Sequence, residues 1–446
     1  MSGDLRGYRR GIAGWCLYDW AMSAFNTVIG TFVFSRYFTE AVAINPEQGT
    51  QQWGLALGLS GIVVAILSPI LGAIGDHGGR AKPWLGLMTA ISVLGTALLW
   101  FVTPQPDSVL LALIALGVAT TAFELSYVFY NALLVRVAPQ GWAGRVSGWG
   151  WGLGYFGGLG ALVVCLVLLV QTDAPLFGLL DKTDAAHIRA TAVLVALWYA
   201  VFALPLFLLC PDRPPVARPA GAVIREGLSA LGNSIRQVRR YGNLVRYLVA
   251  SAFWRDGINT ITAFGGIVAG ALFGMDTAQI ILFAILLNVA AGIGAIGFAW
   301  VDDLAGAKPT LIISILGLIA ASTGLLLVGT PWWGWAPSLA LPLAGWTQEQ
   351  QWLLLFGLLL GIFFGPAQAS ARTMVVRLAP PGMEAEIFGL YGLTGRAVGM
   401  IGPFAYGIAT AASGSQRGGM ATVLVLFLAG LLLLLGVREQ REVVSR

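Results

Sequence analysis

Long apolar segments alternate with short polar or Pro/Gly-rich breaks along the whole chain. They fall at about 14–38, 53–75, 84–103, 108–136, 142–170, 190–210, 244–273, 277–300, 308–329, 351–378, 385–412 and 419–437. Each can cross a bilayer, since about 20 residues rising ~1.5 Å each cover a hydrocarbon core of roughly 30 Å. In lipid only helices and closed barrels satisfy their own backbone groups, and runs this long without alternation are helices. The pattern predicts an all-α membrane protein with about 12 transmembrane helices.

The first segment is apolar with an exception. WCLYDWAMSAFNTVIGTFVFSRYF (15–38) places Asp19, Ser23, Asn26 and Gly30 on one helical face, at i, i+4, i+7 and i+11. A charge facing lipid there costs about 2.5–3.5 kcal/mol or more. The stripe is therefore expected to turn toward other helices or a water-filled path.

Lys and Arg concentrate in alternate breaks. Arg9, Arg10, Arg80, Lys82, Arg136, Arg145, Arg213, Arg225, Lys308, Arg377 and Arg438 fall on one side, against Lys182, Arg189, Arg417 and the borderline Arg36 on the other. The positive-inside rule then predicts cytoplasmic termini and a cytoplasmic 211–243 segment, in a bacterial-type inner membrane. Trp332, Trp333, Trp335 and Trp346 suit an aromatic belt on the opposite side.

The 211–243 break opens on PDRPPVARPAG, a proline-rich linker. Ile224, Leu228, Leu231, Ile235 and Val238 then form an apolar seam, with Arg225, Glu226, Arg236, Arg239 and Arg240 away from it. This predicts a basic amphipathic helix on the inner membrane surface. It divides the chain into an N-terminal six-helix bundle (1–210), a linker (211–243) and a C-terminal six-helix bundle (244–446).

The halves echo one another. LVRVAPQ at 134–140 returns as VVRLAPP at 375–381, each followed by a helix rich in glycine. GDHGGRAKP at 75–83 returns as DDLAGAKP at 302–309, and Asn26-Thr27 as Asn259-Thr260. Four echoes in one order mark an internal repeat. Parallel six-span halves are a common transporter plan.

Composition agrees with lipid: 57% of the 446 residues are hydrophobic and 11% charged, against roughly 25% charged in soluble domains. The 59 glycines suit close helix packing in a membrane. The net charge of +5 is spread by membrane side, so it does not imply nucleic acid. Cys16, Cys165 and Cys210 lie in apolar runs and read as buried residues, not a disulfide framework. The basic start followed by an apolar run resembles a signal peptide, but its length and Asp19 favour a permanent span. His77 and His187 both lie in loops, and no HExxH, Cys/His cluster or Walker A pattern occurs. No metal or cofactor is expected, and neither is an enzyme or an ATP-driven pump.

After the second segment comes Gly72-x-x-Gly75-Asp76-x-x-Gly79-Arg80-x-Lys82. Its glycines permit a tight turn, and Asp76 suits a neighbouring helix N-terminus. This loop resembles the signature of the major facilitator superfamily, where it acts as a conformational latch. Asp303 and Gly306 resemble a second copy that lacks the first glycine. YDWAMSAFNTVIGTFVFSRYF, FYNALLVRVAP, VSGWGWGLGYFGG, FWRDGINTI, QASARTMVVRLAP and EIFGLYGLTGRAVGMIGP resemble the vacuole-effluxer-like branch of that superfamily. Met22 departs from it, standing where YDWANSAF has asparagine. The resemblance implies the major facilitator fold, two pseudo-symmetric six-helix bundles around a central route, and efflux of amino acids in the fungal vacuolar members.

Charges inside spans mark the candidate solute and coupling residues. Glu124 lies mid-span, with Tyr127 and Asn131 on its face at i+3 and i+7. Arg255 and Asp256 lie mid-span in the seventh segment, with Asn259 within a turn. Gln368 and Arg372 are one turn apart in the tenth, and Arg396 lies in the eleventh. The resemblance implies that the first, fourth, seventh and tenth spans line the cavity, and these carry Asp19, Glu124, Asp256 and Arg372. Each also has a structural reading. Arg255 and Asp256 can be a paired charge, Asp19 a gate or cap, and Glu124 an acid bonded to a tyrosine. Burial disfavours the charged form of an acid, which suits Glu124 or Asp256 to carry a proton. Arg372 and Arg396 suit an anionic group, while Asn26, Asn131 and Asn259 suit either solute or helix glue.

The expectation is a secondary transporter for a small solute, rocking by alternating access, with lipid and protons as its other partners. The competing expectations are a drug or peptide exporter of the same fold and a transport-inactive membrane sensor or scaffold.

Overall fold

The computed structural model describes residues 2–214, 219–236, 241–334, 336–339, 341–343 and 345–439, all helical apart from turns and loops. Ten of the described helices are long and apolar enough to cross a membrane. The two other expected spans, 14–38 and 385–412, are also helical but change geometry part-way. The chain divides into two compact units. One is 1–140, 153–235 and 380–393, and the other 141–152, 236–379 and 394–446.

In the first unit α1 (Ser2–Ala24) runs on as a π-helix, Phe25–Phe32, before α2 (Phe34–Tyr37). The wider turn falls on Asn26 and Thr27; such bulges recur at functional sites. α3 (Pro46–Gly78) is capped by Asn45, whose side chain accepts from the Gln48 N–H at 2.8 Å. α4 (Lys82–Leu98), α5 (Val109–Ala132) and the short α6 (Leu134–Val137) follow. α7 (Ala143–Cys165) begins in the second unit and continues in the first from Leu153, followed by α8 (Ala186–Leu209) and α9 (Ala220–Arg236). The core is aromatic and internally bonded. Trp15 stacks on Tyr130 at 4.5 Å, its indole donating to the Tyr130 carbonyl while the Tyr130 hydroxyl donates to the Trp15 carbonyl. The Tyr18 hydroxyl bonds with Thr89 at 2.7 Å and Tyr199 at 3.0 Å, tying α1 to α4 and α8. Buried hydroxyls with partners avoid the penalty of an orphaned polar group.

Burial varies along the seam of α9. Leu231 and Gly227 are buried, while Ile224 and Leu228 are 44% and 45% exposed. Gly227 lies so close to Ile74 that a methyl group there would come within 2.8 Å of the Ile74 backbone. The expected surface helix thus rests on the end of α3 through its smallest residue, which hydrophobic periodicity cannot reveal. Val238, Arg239 and Arg240 of the seam and its basic flank lie outside the described residues, as does Trp335.

The second unit holds α10 (Gly242–Phe273), α11 (Thr277–Ala305), α12 (Ala307–Leu327) and α13 (Gln348–Leu378). It also takes all of α15 (Ile401–Ser413) and α16 (Gln416–Leu435). α14 (Glu384–Val398) begins in the first unit and ends in the second. α11 and α13 each open on a capping box, Asp276 with Gln279 and Thr347 with Gln350. Trp333 packs edge-on against Trp352 at 5.2 Å, while Trp332 is 80% exposed.

Candidate functional site

The repeat is built into the Arg-rich end of the helices. After α3 the chain turns at Gly79, with φ +79°, and after α11 at Gly306, with φ +106°. Both values favour glycine. Three residues before each turn stands an acid that meets a helix start. Asp76 accepts from the Glu386 N–H at 2.8 Å, in the first turn of α14. Asp303 accepts from the Gly144 N–H at 2.8 Å and the Arg145 N–H at 3.3 Å, in the first turn of α7. A helix start offers unsatisfied N–H groups and partial positive charge, so a carboxylate is held twice over. Gly72 allows the first contact, since a side chain there would run into the Ala385 carbonyl. Gly148 does the same for α7 against the Ala295 carbonyl. Gly75 admits the Phe129 ring. Arg80 is exposed.

Around each acid lies a charge cluster. Arg213 pairs with Glu384 and, at 3.6 Å, with Asp76. Arg145 Nε pairs with Asp303 at 2.5 Å. Arg377 joins Asp302 at 2.9 Å and Glu439 at 2.5 Å. The residues that follow α8 and α16 match as well. Asp212 accepts from the Ala81 and Lys82 N–H groups at 3.0 Å, and Glu439 from those of Ala307 and Lys308 at 2.8 and 3.1 Å. Asp212 thereby covers the start of α4, and Glu439 that of α12. A cavity of about 20 Å³, room for one water, lies among Asp76, Asp212, Arg213 and Glu384.

The mid-membrane candidates separate by exposure. In the first unit Asn26 is exposed, and Glu124, Tyr127 and Asn131 are half-buried on one face of α5. Asp19 is buried, and the Ser23 hydroxyl donates to its carbonyl at 2.7 Å. In the second unit Asn259 is exposed; Arg255, Gln368 and Arg396 are half-buried. Asp256 and Arg372 are buried. Arg372 donates from Nε to the Ser147 hydroxyl at 3.0 Å and from Nη2 to the Ser147 carbonyl at 2.9 Å, with its guanidinium 5.6 Å from the Trp151 ring. Asp256 Oδ2 accepts from the Gly402 N–H at 2.7 Å. The two Asn-Thr echoes are alike in space. Each asparagine is exposed, while Thr27 packs at Gly158 and Thr260 at Gly402. Among the described residues no group of three or more His, Cys, Asp or Glu is arranged to hold a metal.

Comparison with known proteins decides the family. The model of "Vacuole effluxer Atg22 like" proteins matches residues 139–445, and that of the major facilitator superfamily residues 4–162. The chain belongs to the vacuole effluxer Atg22-like family of the major facilitator superfamily.

This Atg22-like chain is 25% identical over 429 residues to the uncharacterized MFS-type transporter YxiO of Bacillus subtilis, covering 96% of this chain and 94% of that one. It is 26% identical over 291 residues to autophagy-related protein 22 of Cryptococcus neoformans var. neoformans serotype D. There the match spans 63% of this chain but 48% of the fungal one, so the chain reaches about half the length of that relative. The proton:xylose symporter XylE superposes with a TM-score of 0.71 at 14% identity, over 97% of this chain and 95% of its own, which shows the fold. The Atg22-like chain is a multi-pass membrane transporter and not an enzyme.

Several residues of this Atg22-like chain carry its charge clusters without having stood out in the sequence: Ser147, Asp212, Arg213, Glu384 and Glu439. Each lies at a span end or inside a glycine-rich run, where a polar residue is ordinary. One signal was available for two of them. Asp212 and Glu439 follow the last spans of the two halves at similar distance, which a repeat-wise comparison brings out.

Proposed function

We propose that the chain exports a small solute of the amino-acid type by alternating access, coupled to protons, from an inner membrane with its Arg-rich end in the cytoplasm. The carrying observation is the pair of Asn-Thr echoes: Asn26 and Asn259 are exposed in the middle of apolar helices, each held by a threonine packed on glycine. Exposed amides at that depth are costly against lipid and useful against a polar solute. Glu124, Tyr127 and Asn131 supply a second polar face, and the half-buried Gln368, Arg255 and Arg396, on three other helices, supply an amide and cationic groups for a carboxylate. The efflux direction rests on the family's description as vacuole effluxers, and the amino-acid class on the resemblance to the fungal vacuolar members. Asp19 and Arg372, being buried and bonded to neighbours, position helices in this reading.

The acids at Asp76 and Asp303 act as latches, each holding a helix start that must be released for access to change sides. Protonation of Glu124 or Asp256 supplies the coupling. The test is flux of labelled amino acids in proteoliposomes, with and without an imposed pH gradient. Gradient-driven flux that Asn26→Ala and Asn259→Ala each cut at least tenfold, with folding intact, supports the reading. Gradient-independent leakage, or flux indifferent to both changes, overturns it.

A further inference from the structure

α14 ends at Val398 and α15 begins at Ile401, inside one apolar run. Pro403 has no N–H to return to the preceding turn and its ring crowds the carbonyl there; α3, α8 and α13 run on through Pro69, Pro205 and Pro366, but here the helix breaks. α15 therefore starts within the membrane, with N–H groups that nothing in its own helix can take. Asp256 of α10 takes one of them through Oδ2, at Gly402. The approach needs glycine: a methyl group at 402 would lie 3.0 Å from both carboxylate oxygens and would collide with the Thr260 hydroxyl.

Asp256 is 1% exposed, and its second oxygen, Oδ1, has no hydrogen-bond partner among the described residues. Its charged and titratable neighbours do not supply one. On its own helix, Arg255 lies against Gly395 of α14, and the Thr260 hydroxyl donates to the Asp256 carbonyl instead. α14 brings Arg396. α15 brings Tyr406, whose hydroxyl donates to Gln416. α16 offers Phe427 beside Gly257, and its Arg417 bonds the Leu326 and Val328 carbonyls. Arg372 of α13 is on Ser147, while Asp276, Asp302 and Asp303 lie at the ends of α11. A carboxylate buried with one oxygen unmatched is unfavourable unless a cation neutralises it.

We infer that Asp256 Oδ1 is a proton-binding site whose occupancy controls the junction between α14 and α15. The proton adds to Oδ1 and no bond breaks. The Gly402 N–H···Oδ2 bond changes from charge-assisted to neutral, which roughly halves its strength. Loss of the proton leaves an anion that draws the one remaining N–H of α15's first turn, that of Ile401, toward Oδ1, since Pro403 has none and the Phe404 N–H is taken by the Met400 carbonyl. The broken helix thus has a tight and a loose junction, chosen by one proton. The inference deepens the proposed proton coupling, yet it is testable without any solute.

The experiment uses the full chain in lipid nanodiscs at pH 5 and pH 8. Infrared difference spectra report carboxyl protonation, and hydrogen exchange of peptides covering 396–408, corrected for intrinsic rates, reports the junction. Expected are a protonated-carboxyl band lost in Asp256→Asn but kept in Glu124→Gln, and exchange at least threefold slower at pH 8 in the unaltered protein. In Asp256→Asn, whose amide oxygen still accepts from Gly402, this pH difference disappears. Asp256→Ala exchanges fast at both pH values; if it does not fold, Asp256→Asn decides alone. A band unchanged in Asp256→Asn, a pH difference that survives in it, or protection that follows Na⁺ at constant pH overturns the inference. Failure of flux alone, with these readouts intact, overturns only the transport reading.

Discussion

The two glycine-rich helices that follow the Ala-Pro echoes at 138–139 and 379–380 began as the same element and now differ. α7 is α-helical without a break from Ala143 to Cys165, while its counterpart stops at Val398 and restarts at Ile401 as α15. In the register set by the shared Ala-Pro, Ala161 stands opposite Gly402 and Leu162 opposite Pro403. In the register of the Asn-Thr echo, Ser23 stands opposite Asp256. The break and the acid that caps it occur together in one half, and neither occurs in the other. A helix start inside lipid is tolerable only with an acceptor at hand, so Pro403 and Asp256 are two parts of one device. At the opposite ends of these helices the halves are alike, each start being held by an acid from the last turn of another helix, α3 or α11.

The harshest way to break this comparison is Leu162→Pro, which interrupts α7 where Ser23 offers no carboxylate. It should cost about 3 kcal/mol or more, read as loss of monodisperse protein after extraction and heating. Gly402→Ala should cost about 1–3 kcal/mol through collision with Thr260 and Asp256, whereas Ala161→Gly should cost about 1 kcal/mol, both by thermal melts in detergent. Asp303→Ala, losing the Gly144 and Arg145 bonds together, should lower stability by up to about 2 kcal/mol. Asp76→Ala should lose about 1 kcal/mol, with Arg213 still paired to Glu384. An equal loss at both would mean that the second backbone bond of Asp303 adds nothing. Least affected is Ser23→Ala, which removes a bond to its own helix and should stay within about 0.5 kcal/mol.

Much of the fold was legible in the chain. The expected spans at 53–75, 142–170 and 351–378 correspond to helices within Pro46–Gly78, Ala143–Val170 and Gln348–Leu378, and their ends moved by a few residues. The candidate site was legible in part. The polar face of Glu124, Tyr127 and Asn131 lies together, half-buried, as its spacing implied. Exposure was not legible: Asp19, Asp256 and Arg372 share the look of Glu124 in sequence and are buried. The seam of α9 shows only part of its packing, because Gly227, which carries no hydrophobic signal, makes the close approach to Ile74.

What the chain determines alone follows from a one-dimensional constraint. Lipid demands long apolar helices, so span number, loop charge and the repeat can be counted along the sequence. Partner identity is different in kind. Nothing near Asp76 names Glu386, nothing near Arg372 names Ser147, and Asp256 and Gly402 meet only because two distant helices cross at a glycine. Those contacts depend on where helix surfaces touch in three dimensions, and there the packing of small residues, not local pattern, decides which polar groups meet.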